Sequence, residues 1–326
     1  MSRRRRLRDL VGPRTPRPSH AAFCVPRTAG VMLVRDAVDI AALVVAHHLA
    51  AGIERVHVID DGSTDGTTEV LDELATRTDR VTFHRVFGVD DPQVETVSEA
   101  CNRLIESGAR LVIPFDADEF WDVTGDLLTR WVEDERPRRL TSSWVNFAQV
   151  RDHTYPRPGG LLSIRHRATT DTGATAENVG SFQGSFLQYG PVPKAIVWSQ
   201  SPVDFGRGQH HVEAAHGVPA LVEEPAGVDV MHVPLRWRSE LTKRALNYEP
   251  RRARQRLNEG DSWQSLFHLR TVLEHREAEV WAANSVDDTG CLDVYGRSVQ
   301  LERDDRLHRA VVVAQNALGD LGLPTP

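Results

Sequence analysis

Residues 55–67 read RVHVIDDGSTDGT. Val56, Val58 and Ile59 make a short apolar run that stops abruptly at Asp60, Asp61 and Gly62. Gly62 and Gly66 permit tight backbone turns, and Val70, Leu71 and Leu74 then recur at helical spacing. The stretch therefore reads as strand, acidic loop, helix, and a loop that opens a helix favours anions. The same pattern returns at residues 111–121, LVIPFDADEFW, where a buried strand runs into Asp116, Asp118 and Glu119. Around these two stretches lie a strand at Gly30–Val34 and a third at Val81–Val86. A helix carrying Ile40, Leu43, Val44, His47 and Ala51 closes at Gly52, and another spans residues 92–107. Alternating strands and helices predict a mostly parallel sheet with right-handed crossovers. Ligands of such sheets sit at the carboxyl ends of the strands, which is where both acidic clusters fall. The two clusters are thus expected to share one site.

Beyond residue 140 the segments shorten, and Pro156, Pro158, Gly159, Gly160, Gly190, Pro191 and Pro193 punctuate them. Residues 141–235 read as mixed strand and loop, and helices return at roughly 239–257, 262–283 and 300–318. No solenoid-type repeat occurs. With 326 residues, 40% of them apolar, the chain is long enough for one large or two small domains. The expected layout is a basic tail (1–27), an α/β sandwich (28–238) and a helical C-terminal region (239–326).

Composition removes several classes. Three scattered cysteines, Cys24, Cys101 and Cys291, make no disulfide framework, and the absence of CxxC argues against structural zinc. No apolar run reaches the ~18 residues of a transmembrane helix. Free thiols and the lack of a leader place the expected compartment in the cytoplasm. The net charge is −7, but the first 18 residues hold seven arginines against Asp9, a +6 segment, so the remainder carries −13. That acidic body argues against nucleic acid as a partner. The tail is read as disordered and at most a weak contact for anionic membranes. No apolar stretch follows its Arg-Arg pairs, so it is no twin-arginine export signal.

Asp116-x-Asp118 directly after a buried strand allows two carboxylates to converge on one hard cation, and Mg²⁺ or Mn²⁺ prefers such oxygen ligands. The alternative is a strand-end turn with solvated acids; Glu119, Phe120 and Trp121 alongside favour the functional reading. Asp60 and Asp61 could accept hydrogen bonds from a nucleobase or ribose, or simply cap a polar loop. His47 falls on the apolar face of its helix and Cys101 on another, so both read as core. Trp121, Trp131 and Trp144 read as packing before stacking. Adjacent His210 and His211 point to opposite faces of a strand, so they do not easily share one ion.

Together, IDDGSTDGT at 59–67 and PFDADEF at 114–120, preceded by Val34-Arg35-Asp36, resemble the nucleotide-sugar glycosyltransferases of family 2, which have the GT-A fold. The stretches AHHLAAGI at 46–53 and Met231-His232-Val233-Pro234-Leu235-Arg236, with Lys243 beyond, extend the resemblance over about residues 28–245. It implies that Asp60 and Asp61 bind the nucleoside, with Val34 and Arg35 lining the same pocket. It implies that Asp116 and Asp118 form the metal-binding pair, with His232 as a further metal or diphosphate ligand. Arg236 and Lys243 would reach the diphosphate as charged donors. The residues after Arg35 depart from the usual pattern, and Asp39 stands in for the expected acid. An inverting transfer also needs a base for the acceptor hydroxyl; Glu213 and Asp204 are the candidates, and His211 a further one. The implied donor is a nucleoside-diphosphate sugar, by family prior a UDP-sugar, and the implied cofactor is Mn²⁺ or Mg²⁺. The acceptor stays open among glycan, lipid-linked and small molecules. A phosphatase using DxD lacks its threonine here, and nucleotidyltransferase and dinucleotide-binding glycine loops are absent; the alternative is a non-catalytic nucleotide-sugar binder, against which the intact DxD argues, since loss of catalysis should permit loss of those acids.

Overall fold

The two acidic stretches end adjacent lanes of one sheet. Strands β1 (Thr28–Val34), β2 (Arg55–Asp60), β3 (Val81–Arg85) and β4 (Leu111–Asp116) are all parallel, in the order β3-β2-β1-β4. The register pairs Val34 with Asp60 on one side of β1 and Leu33 with Asp116 on the other. Two interstrand spacings, roughly 10 Å, therefore separate the clusters. The computed structural model describes residues 26–86, 92–134, 138–169, 174–189, 193–199, 201–206, 210–215, 220–246 and 263–326. Most of the tail, residues 1–25, lies outside them.

Helix α1 (Ala41–Ala50) covers one face of these strands and is buried from Ala41 to Leu49. Helix α2 (Thr67–Arg77) follows the first acidic loop. On the opposite face, α3 (Val97–Glu106) packs Val97, Cys101 and Ile105 against Val31 and Val112. Its first turn, Pro92–Thr96, is a π-turn rather than α-helix. Gly30 is demanded by packing: a Cβ there would stand 2.6 Å from the Phe115 ring.

The sheet continues through antiparallel partners. After β5 (Glu119–Trp121) and helix α4 (Gly125–Glu133) comes the long β6 (Arg138–Val150). Near its end β6 pairs with β7 (His166–Arg167), and the short helix α5 (Ala176–Gly180) follows. Strand β8 (Lys194–Trp198) then inserts between β4 and β6. A hairpin of β9 (Val203–Phe205) and β10 (Val212–Ala214) packs beneath, and β11 (Val222–His232) runs parallel to β6 and antiparallel to β5. This register sets His232 beside Glu119 on one flank and Asn146 on the other.

The C-terminal region is less helical than the sequence reading expected. Helices α6 (Ser239–Leu246), α7 (Trp263–Leu273), α8 (Glu277–Ala282) and α9 (Arg306–Asp320) alternate with strands. The single helix expected at 262–283 breaks where His275 takes a positive φ of 55°. Residues 247–257 of the first expected helix lie outside the described residues. Strand β12 (Ser285–Val286) joins the end of β6, and a hairpin of β13 (Cys291–Val294) and β14 (Arg297–Gln300) turns through Tyr295 and Gly296. Both turn residues have positive φ, as a tight two-residue hairpin requires. Strand β15 (Glu302–Arg303) pairs with β7, which delays the last helix to Arg306. The region thus shares the main sheet of the α/β unit instead of forming a separate helical layer. Residues Leu307, Val311, Ala314 and Leu318 of α9 join the same core as α1.

Candidate active site

The loop after β2 is stitched by its own acids. Asp60 is 0% exposed; its Oδ1 accepts from Ser63 N at 2.9 Å and its Oδ2 from Thr68 Oγ1 at 2.6 Å. Arg85 Nε stands 3.0 Å from the same Oδ2. The neighbouring loop after β1 is zipped to it. Asp36 N donates to Ser63 Oγ, Ala37 N to Thr67 Oγ1, and Thr64 N to Asp36 Oδ1. Asp61 turns the other way, 3.5 Å from Arg35 Nη1, beside Val34 at the end of β1. Of the residues expected to hold a nucleoside, Asp61 and Arg35 thus flank the mouth between β1 and β2, while Asp60 holds the loop together.

The second cluster is arranged differently. Glu119 is buried and braces the turn: Oε2 accepts from Asp116 N, and Oε1 accepts from Trp144 Nε1, each at 3.1 Å. Lys194, 0% exposed at the start of β8, lies 2.7 Å from Asp116 Oδ2 and 2.9 Å from Glu119 Oε1. Burial disfavours its charge, but the two carboxylates outweigh that and hold the ammonium protonated. Burial likewise pushes Glu119 upward, against the pull of Lys194. The Asp116 carboxylate is therefore shared with an internal cation.

Among the described residues Asp118 has no such partner at bonding distance. Its Oδ1 faces His232 Nε2 at 3.6 Å and its Oδ2 faces Arg244 Nη2 at 3.7 Å, both too long for hydrogen bonds. Burial alone would raise its pKa, but His232, Arg244 and Arg236 outweigh burial and hold the carboxyl far below its usual range. The His232 backbone sits beside the turn, and the following residue, Val233, donates its N–H to Asp118 O at 2.9 Å. Trp144 stacks on the His232 ring at 4.5 Å between centroids, and His210 meets Trp144 edge-on at 5.0 Å.

The cations expected at a diphosphate divide. Arg236 is buried and bidentate to Asp39, with Nε to Oδ2 at 2.6 Å, and also pairs with Glu240. Trp237 Nε1 completes that knot on Asp39 at 2.6 Å. Lys243 reaches across to the first loop, 3.0 Å from Asp65 Oδ2 and bonded to Asp36 O. The cation aimed at Asp118 is instead Arg244, which sequence reasoning passed over. Asp204 and Glu213 pair across the β9–β10 hairpin. Glu213 has a side chain 70% exposed, bonded to His211 Nε2 at 2.8 Å. Neither acid forms a hydrogen bond or ion pair with Asp116, Asp118 or His232. The hairpin approaches that centre through His210. His47 and Cys101 are buried as core.

Among the described residues no three His, Cys, Asp or Glu side chains form a metal cage. Asp118 and His232 nevertheless suit a divalent cation. Two acceptor atoms 3.6 Å apart can both lie ~2.1 Å from one ion, the remaining positions going to phosphate oxygens and water.

A parallel half-sheet with acidic loops at its carboxyl edge, joined to a mixed half-sheet that brings a histidine to the second loop, is the layout of the GT-A fold that the resemblance implied. Residues 45–182, somewhat under half of the chain, match the model of Glycosyl transferase family 2, and this match supports reading the chain as a glycosyltransferase of that kind. No curated protein matches it. Among solved structures, it is similar to the mannosyltransferase PcManGT from Pyrobaculum calidifontis, in complex with GDP-Man and Mn²⁺. That match has 15% identity over 94% of this chain and 77% of the other, with a TM-score of 0.36. It is also similar to TarS residues 1–349 of S. aureus, at 11% identity over 78% of this chain and 74% of that one, TM-score 0.33.

Proposed function

We propose that the Asp118–His232 centre is the diphosphate end of a donor site, and that the chain transfers a sugar from a nucleoside-diphosphate sugar to an acceptor hydroxyl with inversion. The observation that carries this is the unbonded, ionised Asp118 carboxylate facing His232 at 3.6 Å. Such a pair is poorly satisfied alone and well satisfied around a divalent cation. Mn²⁺ or Mg²⁺ held there would offset the negative charge that builds on the departing diphosphate. Asp116, held by Lys194, lends its negative charge from the side. Arg244 and Lys243 stand on the opposite flank as donors to phosphate oxygens. Asp61, Arg35 and Val34 would line the nucleoside end, with uridine favoured by the family and guanosine the rival. The acceptor, whether glycan, lipid-linked or small, would enter past Trp144 and His210. Glu213 and Asp204, the acids expected from the sequence to take its proton, form no hydrogen bond or ion pair with Asp116, Asp118 or His232, and this reading gives them no catalytic role.

The experiment is nucleoside diphosphate release from a panel of UDP-, GDP- and dTDP-sugars, with Mn²⁺ or with EDTA. Release from one donor class that depends on the metal is expected. Failure of the folded protein to bind or turn over any donor at millimolar concentration would overturn the reading. Retention of anomeric configuration in the product would overturn inversion alone.

A further inference from the structure

Asn146 lies in the middle of β6, almost fully buried, and makes two hydrogen bonds of different kinds. Its amide Nδ2 donates to the Leu187 carbonyl at 2.9 Å, and its Oδ1 meets His232 Nδ1 at 2.7 Å. The first bond settles the second. A carbonyl can only accept, so the NH₂ end of the amide must face Leu187, and the oxygen end must face the imidazole. An amide oxygen is also only an acceptor, so His232 Nδ1 must carry a proton and donate. Any second proton on the ring then sits on Nε2, toward Asp118, and its release leaves a lone pair on the atom that faces Asp118 Oδ1 at 3.6 Å.

Other contacts lock the ring in that pose. Trp144, two residues before Asn146 and so on the same face of β6, stacks on the imidazole at an interplanar angle of 13°. Trp144 is itself fixed by donating to Glu119. Leu187 belongs to the turn Phe186–Gln188, whose Ser185 cap and Leu187 N are tied to Asn284 Oδ1 at 2.9 and 3.2 Å. The support for one ring nitrogen therefore extends from β6 to the C-terminal region.

We infer that Asn146 is a positioning residue for divalent-cation binding: it fixes His232 as the Nδ1–H tautomer and aims the free Nε2 at the Asp118 carboxylate. The inference rests on the proposed donor site. A ring nitrogen that donates to a neighbouring acceptor keeps its partner nitrogen available and more basic, and loss of such a partner typically lowers metal affinity about 10- to 100-fold. Asn146 would touch neither cation nor substrate, so its whole contribution should pass through His232.

The test is Mn²⁺ binding, read from the free-ion EPR signal with UDP or GDP present, on wild type, Asn146→Ala, His232→Ala and the double variant. Asn146→Ala should weaken Mn²⁺ binding about 10- to 100-fold. The double variant should bind no more weakly than His232→Ala alone, because the two residues act as one unit. Asn146→Asp keeps an acceptor toward Nδ1 and should stay within about threefold of wild type. Rate measurements should show a raised Mn²⁺ activation constant for Asn146→Ala with the rate at saturating Mn²⁺ largely kept, which a folding defect would not produce. Independently, ¹⁵N spectra of histidine-labelled metal-free protein, assigned by comparison with His232→Ala and recorded at a pH where the His232 ring is neutral, should show the Nδ1–H tautomer. Equal Mn²⁺ affinity in wild type and Asn146→Ala, or an Nε2–H ring, overturns the role of Asn146 and leaves the donor-site reading standing. A wild type that binds no Mn²⁺ with either nucleotide overturns both.

Discussion

The chain carries two acidic loops at neighbouring strand ends, and they neutralise their charge in opposite ways. After β2, Asp60 is consumed by its own loop: a backbone N–H, the Thr68 hydroxyl and Arg85 fill its carboxylate. After β4, the brace is moved to Glu119 and Lys194, and Asp118 is left ionised with no bond of normal length to a described side chain. The first arrangement ties its acid into the fold, and the second, in the proposed reading, leaves its acid for a cation. Sequence motifs that look alike, DDG and DxD, thus differ in which acid is structural. The difference is set by what the next strands deliver. Strand β3 supplies Arg85 to the first loop, whereas β8 and β11 supply Lys194 and His232 to the second.

Breaking the brace should have the largest effect on the fold. Lys194→Met leaves Glu119 as an uncompensated buried acid and Asp116 without its cation, and a loss of about 3–5 kcal/mol is expected in urea unfolding. Adding Glu119→Gln to that variant should restore part of the loss. A full-stability Lys194→Met protein would show that the buried pair does not hold the turn. Asp60→Ala comes next. It strands the buried Ser63 N–H and the Thr68 hydroxyl, so about 1–3 kcal/mol should be lost. Asp118→Asn, by contrast, should leave the melting temperature within a few degrees of wild type while removing metal-dependent turnover by about 1,000-fold, several kcal/mol of transition-state stabilisation. If Asp60→Ala and Asp118→Asn give the same profile of stability and activity, the contrast between the loops fails.

Asp39 supplies a pH-dependent test of the other buried knot. Burial raises its pKa, but Arg236 and the Trp237 hydrogen bond outweigh burial and lower it below 3.8. A depressed carboxyl contributes stability that is complete above its unfolded value and fades as pH falls through its folded one. Asp39→Asn should therefore cost about 2 kcal/mol at pH 7 and less below pH ~3.5. A cost that stays constant on acidification would contradict the ion pair. The smallest effect belongs to the exposed hairpin: Glu213→Ala should change stability by under about 0.5 kcal/mol and kcat/KM by less than about threefold. A drop of about 100-fold or more would instead mark Glu213 as the acceptor base.

Much of this was legible in the residues. Short apolar runs ending in acids predicted the parallel half-sheet and its ligand edge, because strand period and turn chemistry are local properties. His232 was legible only through the family resemblance, since the contact with Asp118 spans more than 100 residues. The roles of Lys194, Asn146 and Arg244 were not legible, because each depends on antiparallel pairing that no local spacing encodes. Lys194 did leave one signal: it and Lys243 are the only lysines in the chain, and Lys194 opens an apolar strand. Arg236 was misleading for the same reason. Its position after His232 suggested a diphosphate donor, while Asp39, 197 residues earlier, binds its guanidinium in the fold. The C-terminal strands were missed because β12 and β15 are two-residue elements, held by pairing rather than by pattern.

The central claim is that the Asp118–His232 pair, and not the Asp60 loop, receives the cation that holds a nucleoside diphosphate. Calorimetric titration of UDP and GDP into wild type and Asp118→Asn, each with and without Mn²⁺, tests it most directly. The account predicts that one nucleotide binds wild type at least about tenfold more tightly with Mn²⁺, and that this gain vanishes in Asp118→Asn although the protein stays folded. Equal, Mn²⁺-independent binding by both proteins would contradict it.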